Sequence, residues 1–292
     1  MSALSESISR RMTLGQLKGR YGLTLIPSFA EPVTVTSLSN DLVSVRPVSL
    51  YVPDREADQG MADEAERRGA YAALLPSTDR HKIRNAQIPL LFGNMLPSQM
   101  GQLLSTVAGD PSSSLAVFGL VGSDVYGGVD TLAEFLHVLG NPVGVISAHG
   151  SYSLDRELAL DYPLSMFDIQ RCLSIYLEDG AAAVVISVGE ETLQKDALRS
   201  VDMDVVALGE QEASASDLRR TRMLSHARRF GFGLGGRTTV ARRTDDSDTL
   251  ARQSVLPGSP FEDLSLCIAM TMAAGVKRNN IRSALRVSRE MS

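Results

Sequence analysis

Two segments of this chain are apolar at nearly every position, and that limits its fold more than any other feature. Residues Leu115 to Val121 read LAVFGLV, and Ala181 to Val188 read AAAVVISV. A strand with one wet face alternates apolar and polar residues, whereas one apolar throughout is covered on both faces, as in parallel sheets. Each segment runs into glycine, at Gly122 and Gly189. Helical patterns lie between the strands: Val129 to Leu139, then LSMFDIQRCLSIYLED closed by Gly180. NPVGVISAHG and MDVVALG supply two further strands. Strand and helix alternating at this spacing predict a doubly wound α/β unit with a mostly parallel sheet.

Upstream lies a second set of elements. VTVTSL and VRPVSLYV read as strands, ADQGMADEAERRGA as a polar helix ending at Gly69, and AYAALLPS and IPLLFG as strands. LPSQMGQLLSTVAG closes the set as a helix. A chain of 292 residues accommodates two domains of ordinary size. The expected division is residues 1–109, a small α/β domain, and 110–292, the doubly wound one. Downstream, FGFGLGGRTTVARR through LPG reads as a glycine-rich strand region, with Asp245, Asp246 and Asp248 in a loop. A single final helix is expected from Phe261 to about Val287, burying Leu264, Ile268, Met272 and Leu285.

Several function classes are set aside by composition. MSALSESISRRM has no apolar stretch of signal-peptide length, and no run approaches the roughly 20 residues of a membrane helix. A cytoplasmic protein without membrane insertion is the expectation. Cys172 and Cys267 sit in apolar helical contexts and read as buried thiols. The net charge of −5 is uneven: residues 215–292 hold fourteen Lys/Arg against seven Asp/Glu. No nucleic-acid-binding motif accompanies these arginines, so a solvated helix face is expected and nucleic acid is not. His81, His137, His149 and His226 lack metal-ligand spacing, and no metal site is expected. Glu190 and Glu191 read as a solvated turn, since neighbours at a strand end point to opposite sides. Ser123 lacks a G-x-S-x-G elbow.

The turn after the first apolar strand holds the chemical interest. Strand, glycine turn and helix form the scaffold of a phosphate-binding loop, whose backbone N–H groups hold anionic oxygens. A working loop of the form G-x-x-x-x-G-K-S/T adds a lysine on the phosphates and a hydroxyl on Mg²⁺. Here the residues are Gly119, Leu120, Val121, Gly122, Ser123, Asp124, Val125, Tyr126, Gly127 and Gly128. No lysine is present, no hydroxyl follows the turn, and Asp124 stands where a phosphate would sit. Taken alone, the turn reads equally as a vestigial phosphate site or a structural bend.

In order and spacing these elements resemble the Mur ligases, most closely MurE, across nearly the whole chain. VFGLVGSDVYGGVDTLAEFLHVLGNPVGVIS is similar to the family's strand, GTNGKTT loop, helix and following strand. GMADEAERRGAYAALLPS is similar to its first domain, GAAAVVISVGEETL to the strand ending in EVSSHAL, and VDMDVVALGE to the strand leading to DHLD. The resemblance implies a UDP-substrate-type first domain and an ATPase-type central domain. It also implies ATP and Mg²⁺ as cofactors, yet residue by residue the motifs are lost. The loop lysine matches Tyr126 and its threonine Gly127; the metal glutamate matches Ser187, with Gly189 and Glu190 at the two serines. The TTP motif matches Asp161-Tyr162-Pro163, and the DHLD histidine has no counterpart in 209–213. The carbamylated lysine matches Arg222, the adenine-side asparagines match Glu262 and Ser265, and the uridine-contacting Asp-Ser-Arg matches Asp41-Leu42-Val43. The resemblance implies a third, C-terminal ligase domain, and its absence after Ser292 is the expectation.

Phosphoryl transfer rests on positioning and on cations that neutralise phosphate charge. With those groups gone, no catalytic residue, cofactor or metal is expected. The leading expectation is a degenerate, non-catalytic MurE-like protein that acts in peptidoglycan precursor synthesis through a protein partner or self-association. One alternative is a UDP-sugar or nucleotide binding module without turnover. The other is an ATP-dependent amide ligase with a rebuilt site.

Overall fold

The computed structural model describes residues 11–209, 216–253 and 260–291. The chain divides into two compact units, Met1–Asp110 and Pro111–Ser292.

The first unit runs β1 (Met12–Thr13), α1 (Leu14–Tyr21), β2 (Thr24–Ile26), β3 (Thr34–Val35), β4 (Ser37–Ser39), β5 (Ser49–Tyr51), α2 (Gln59–Arg67), β6 (Ala70–Leu75), β7 (Leu90–Phe92) and α3 (Pro97–Val107). Its five-stranded sheet has the order β2-β7-β6-β5-β4, parallel except for β2. The expected strand VTVTSL is split at Thr36: β3 pairs with β1, whereas β4 joins the larger sheet. Asp58 caps α2 by accepting from the Met61 N–H, and the helix buries Ala62 and Ala65 against Tyr51, Ala73, Leu75 and Phe92. Gly69 follows the helix at φ +98°, where a side chain would also meet Pro47 at 3.3 Å.

The second unit runs β8 (Ala116–Val121), α4 (Tyr126–Val138), β9 (Val143–Ile146), β10 (Ser151–Ser153), β11 (Arg156–Leu158), α5 (Met166–Glu178), β12 (Ala183–Val188), β13 (Val205–Leu208), α6 (Ser216–Phe230), β14 (Thr239–Val240), α7 (Asp245–Arg252), α8 (Phe261–Ala273) and α9 (Arg278–Met291). The sheet order is β11-β10-β9-β12-β8-β13-β14, with a parallel core from β9 to β14 and an antiparallel edge. The apolar strands are explained by alternation between two cores. Val117, Val121, Val184, Ile186 and Val206 face α5 and α6, whereas Phe118, Leu120, Val185, Val205 and Ala207 face α4, α7, α8 and α9. Cys172 belongs to the first core and Cys267 to the second, so the two thiols lie on opposite faces of the sheet, both free and buried.

Three expectations fail here. The final helix is two: α8 ends at Ala273, and Gly275 at φ +92° breaks the helical run before α9. Among its described residues the glycine-rich region yields only the two-residue β14 as strand. Asp245, Asp246 and Asp248 are no loop but the first turn of α7, where carboxylates complement the helix N-terminus. Thr244 caps that helix, Asp246 pairs with Arg278 at 2.7 Å and Asp248 with Arg243 at 3.1 Å.

Candidate functional site

Parallel strands bring their carboxyl ends to one rim, and ligands of open α/β sheets bind in the crevice there. β8, β9 and β12 are neighbours, so the residues that follow Val121, Ile146 and Val188 meet at this rim. Gly122 continues the ladder by donating its N–H to Val188 O at 3.1 Å and has φ +144°, while Asp124 takes the left-handed φ of +55°. The chain then enters α4 at Tyr126, three residues earlier than the apolar pattern implies, with no side-chain cap at Val125. Gly119 is not part of the bend. It lies inside β8, where an added Cβ would sit 2.5 Å from Met203 Cε, so its smallness serves packing.

Tyr126 crosses the rim. Its ring stacks on the His149 imidazole with centroids 3.5 Å apart and planes inclined by 13°, and its hydroxyl donates to Glu191. His149 follows β9 and Glu191 follows β12, so one side chain from the turn reaches both adjoining loops. Burial, the bond to Glu191 and the nearby Asp124 push the Tyr126 phenol up to about 12. The phenol therefore stays neutral at physiological pH and donates to a carboxylate, an arrangement that supplies no positive charge.

Carboxylates surround the same turn. The oxygens of Asp263, at the start of α8, lie 3.8 Å from where Cβ atoms of Gly127 and Gly128 would stand. Burial raises the Asp263 pKa, and Glu262 and Asp124 raise it further. Burial also raises Asp130, which His149 partly offsets. Among the described residues, the groups that perturb Tyr126, Asp130 and Asp263 are all acidic except His149. Polyphosphate brings up to four negative charges, and like charges close to a binding site oppose it. Magnesium needs oxygen ligands set around a cation, and no group of three or more His, Cys, Asp or Glu residues among those described could hold a metal. Around this turn the described residues therefore present acidic rather than cationic groups to a polyphosphate.

The remaining positions singled out from sequence divide between packing and surface. Ser187 lies in β12, 1% exposed and in register with Leu120. At Gly189 a Cβ would come within 2.8 Å of Gly122 O, so the close approach of the two turns admits only glycine. Ser265 is fully buried and structural: its hydroxyl pairs with Ser247 Oγ at 2.9 Å and donates to Asp248. Glu262 is exposed in the first turn of α8, and Arg222 is partly buried on α6. Ser123 is exposed at the bend. The stretch sought for the DHLD histidine falls largely in residues 210–215, outside the described set.

Two residues passed over in the sequence prove central. His149 is not one of four scattered histidines but the stacking partner of Tyr126, and Glu191 is not simply solvated but its hydrogen-bond acceptor. Glu190 does point elsewhere, pairing with Arg229 at 3.1 Å. The missed signal was topological, since strand order places three separate loops together.

No family model matches the chain. It is 26% identical over 181 residues to the UDP-N-acetylmuramoyl-L-alanyl-D-glutamate–2,6-diaminopimelate ligase of Pseudomonas putida, an alignment that covers 60% of this chain and 36% of that protein. The chain thus spans little more than a third of that relative. Among solved structures, one of MurF from Acinetobacter baumannii superposes with a TM-score of 0.58 at 12% identity, covering 95% of this chain and 68% of that one. Another, of a UDP-N-acetylmuramoyl-L-alanyl-D-glutamate–2,6-diaminopimelate ligase, gives 0.54 at 12% identity, covering 89% and 64%.

Proposed function

We propose that this chain, which has the Mur ligase fold and sequence kinship with the diaminopimelate-adding ligases, is a non-catalytic relative that works by binding within peptidoglycan precursor synthesis. The observation that carries the reading is Tyr126, stacked on His149 and bonded to Glu191 across the strand ends where such a ligase would hold phosphate. Transfer of a γ-phosphoryl group to a carboxylate needs cationic groups that neutralise charge on the transferring oxygens. Here Asp124, Asp263 and Glu191 add charge of the wrong sign, and a neutral phenol stands in the sequence position of the loop lysine. A scaffold retained without that chemistry remains suited to recognition, of a protein partner or of a second copy of the chain.

Purified protein is incubated with ATP, Mg²⁺, UDP-MurNAc-dipeptide and diaminopimelate, and ADP release is followed by a coupled assay. No precursor-dependent ADP release is expected; steady release that requires the precursor overturns the proposal. Sedimentation with candidate cell-wall ligases tests the binding half. A heavier species is expected, and a strictly monomeric protein that retains none of them counts against this part.

A further inference from the structure

The excess of cations in residues 215–292, expected as a solvated face, gathers in part around a cavity. A groove of about 780 Å³ opens in the second unit beside α6 and β14. Arg219 and Arg220 enter it from α6, and Arg242 and Arg243 from the segment after β14. Its lining is apolar between the cations, with Leu224 and Val240 exposed and Met223 and Leu266 buried behind them. Among the described residues lining it, none is acidic. The volume falls within the roughly 300–1,000 Å³ of small-molecule sites, which pair an apolar lining with a few charged groups.

We propose that this groove binds an organic phosphate, with the phosphate oxygens held by the arginines and an apolar body laid against the exposed Leu224 and Val240. Guanidinium groups match phosphate geometry through paired N–H donors, and two pairs from separate elements converge here. Arg243 is held in place: its Nε donates to Asp248 Oδ1 at 3.1 Å, and its guanidinium lies 5.2 Å from the centroid of the Phe261 ring. Asp248 is in turn bonded by Ser265 and belongs to the first turn of α7. One cation is therefore fixed before any ligand arrives, which lowers the entropy lost on binding. Arg220 and Arg242 are exposed and supply the reach. The inference does not depend on the reading of the Tyr126 turn, which is lined by different residues and is acidic.

Calorimetry with inorganic pyrophosphate, ADP and geranyl diphosphate tests it on the full chain. At least one organic diphosphate is expected to bind at least about tenfold tighter than pyrophosphate, and which one does so identifies the body as a base or a branched hydrocarbon. Arg220→Glu and Arg242→Glu should each weaken that binding by about tenfold or more, the loss of a charge-assisted bond to phosphate, while circular dichroism stays unchanged. Equal binding of all three probes, no binding, or affinities untouched in both variants overturns the proposal. The last result would also appear if ADP bound at the glycine turn instead.

Discussion

The Tyr126 contact can be measured as a coupling energy. Its hydroxyl donates to a carboxylate, and bonds to charged groups contribute about 1.5–3 kcal/mol when shielded. Glu191 is exposed, so solvent screens the pair and about 1 kcal/mol is the appropriate figure. The ring stack on His149 survives in Phe, which leaves the hydroxyl as the one group removed by Tyr126→Phe. A cycle of Tyr126→Phe, Glu191→Ala and the double variant, each unfolded in urea, should give about 1 kcal/mol of non-additivity. The pH dependence supplies an independent check. The folded phenol is raised to about 12 from its ordinary value near 10, so the fold favours the protonated form. That contribution is complete below pH 10 and is lost as pH climbs from 10 to 12, where the folded state binds the extra proton. Wild-type stability should therefore fall more steeply across that window than the stability of Tyr126→Phe. Additivity within about 0.3 kcal/mol, together with parallel alkaline profiles, would refute the contact across the strand ends.

Two further substitutions probe the packing around the turn. Gly189→Ser, which returns the residue type of the resembled motif, places a Cβ 2.8 Å from Gly122 O and should cost about 1–3 kcal/mol in urea unfolding; unchanged stability would mean the two turns separate easily. Ser265→Ala removes the bond that, with Arg243, holds the Asp248 carboxyl below its ordinary range. The stability tied to that depression is present above the ordinary carboxylate value and disappears as pH falls through the lowered one, so the variant should unfold less steeply in acid than the parent. Identical acid profiles would dismiss the assigned role.

Much of the architecture was legible because burial on two faces leaves an unusual mark. LAVFGLV and AAAVVISV could only be central strands, and their neighbours followed from the connections. The break between α8 and α9 was hidden because Gly275 sits within a pattern whose apolar period continues from Ile268 to Leu285, and a lone glycine does not by itself end a helix. The segment at 245–252 was misread because its acids look like loop composition. The informative detail was Thr244 followed by three aspartates, the signature of a helix start. The turn itself was legible as far as its missing lysine. His149 and Glu191 were not, because Glu191 lies 65 residues from Tyr126 in sequence and only the order β9-β12-β8 brings all three together.

A helix N-terminus does not become neutral when a loop loses its lysine. The first N–H groups of α4 still carry partial positive charge, amounting to about half an elementary charge, and favour an anion. Asp263 approaches that end from within the chain, its oxygens 3.8 Å from where Cβ atoms of Gly127 and Gly128 would stand, an approach that the absence of side chains allows. Its raised pKa reflects burial first and then the repulsion of Glu262 and Asp124. An external phosphate at this turn would meet these acids. On the proposed reading, a turn that lacks a lysine and is approached by carboxylates serves the packing of α4 against α8, where the glycines admit Asp263, rather than the binding of polyphosphate.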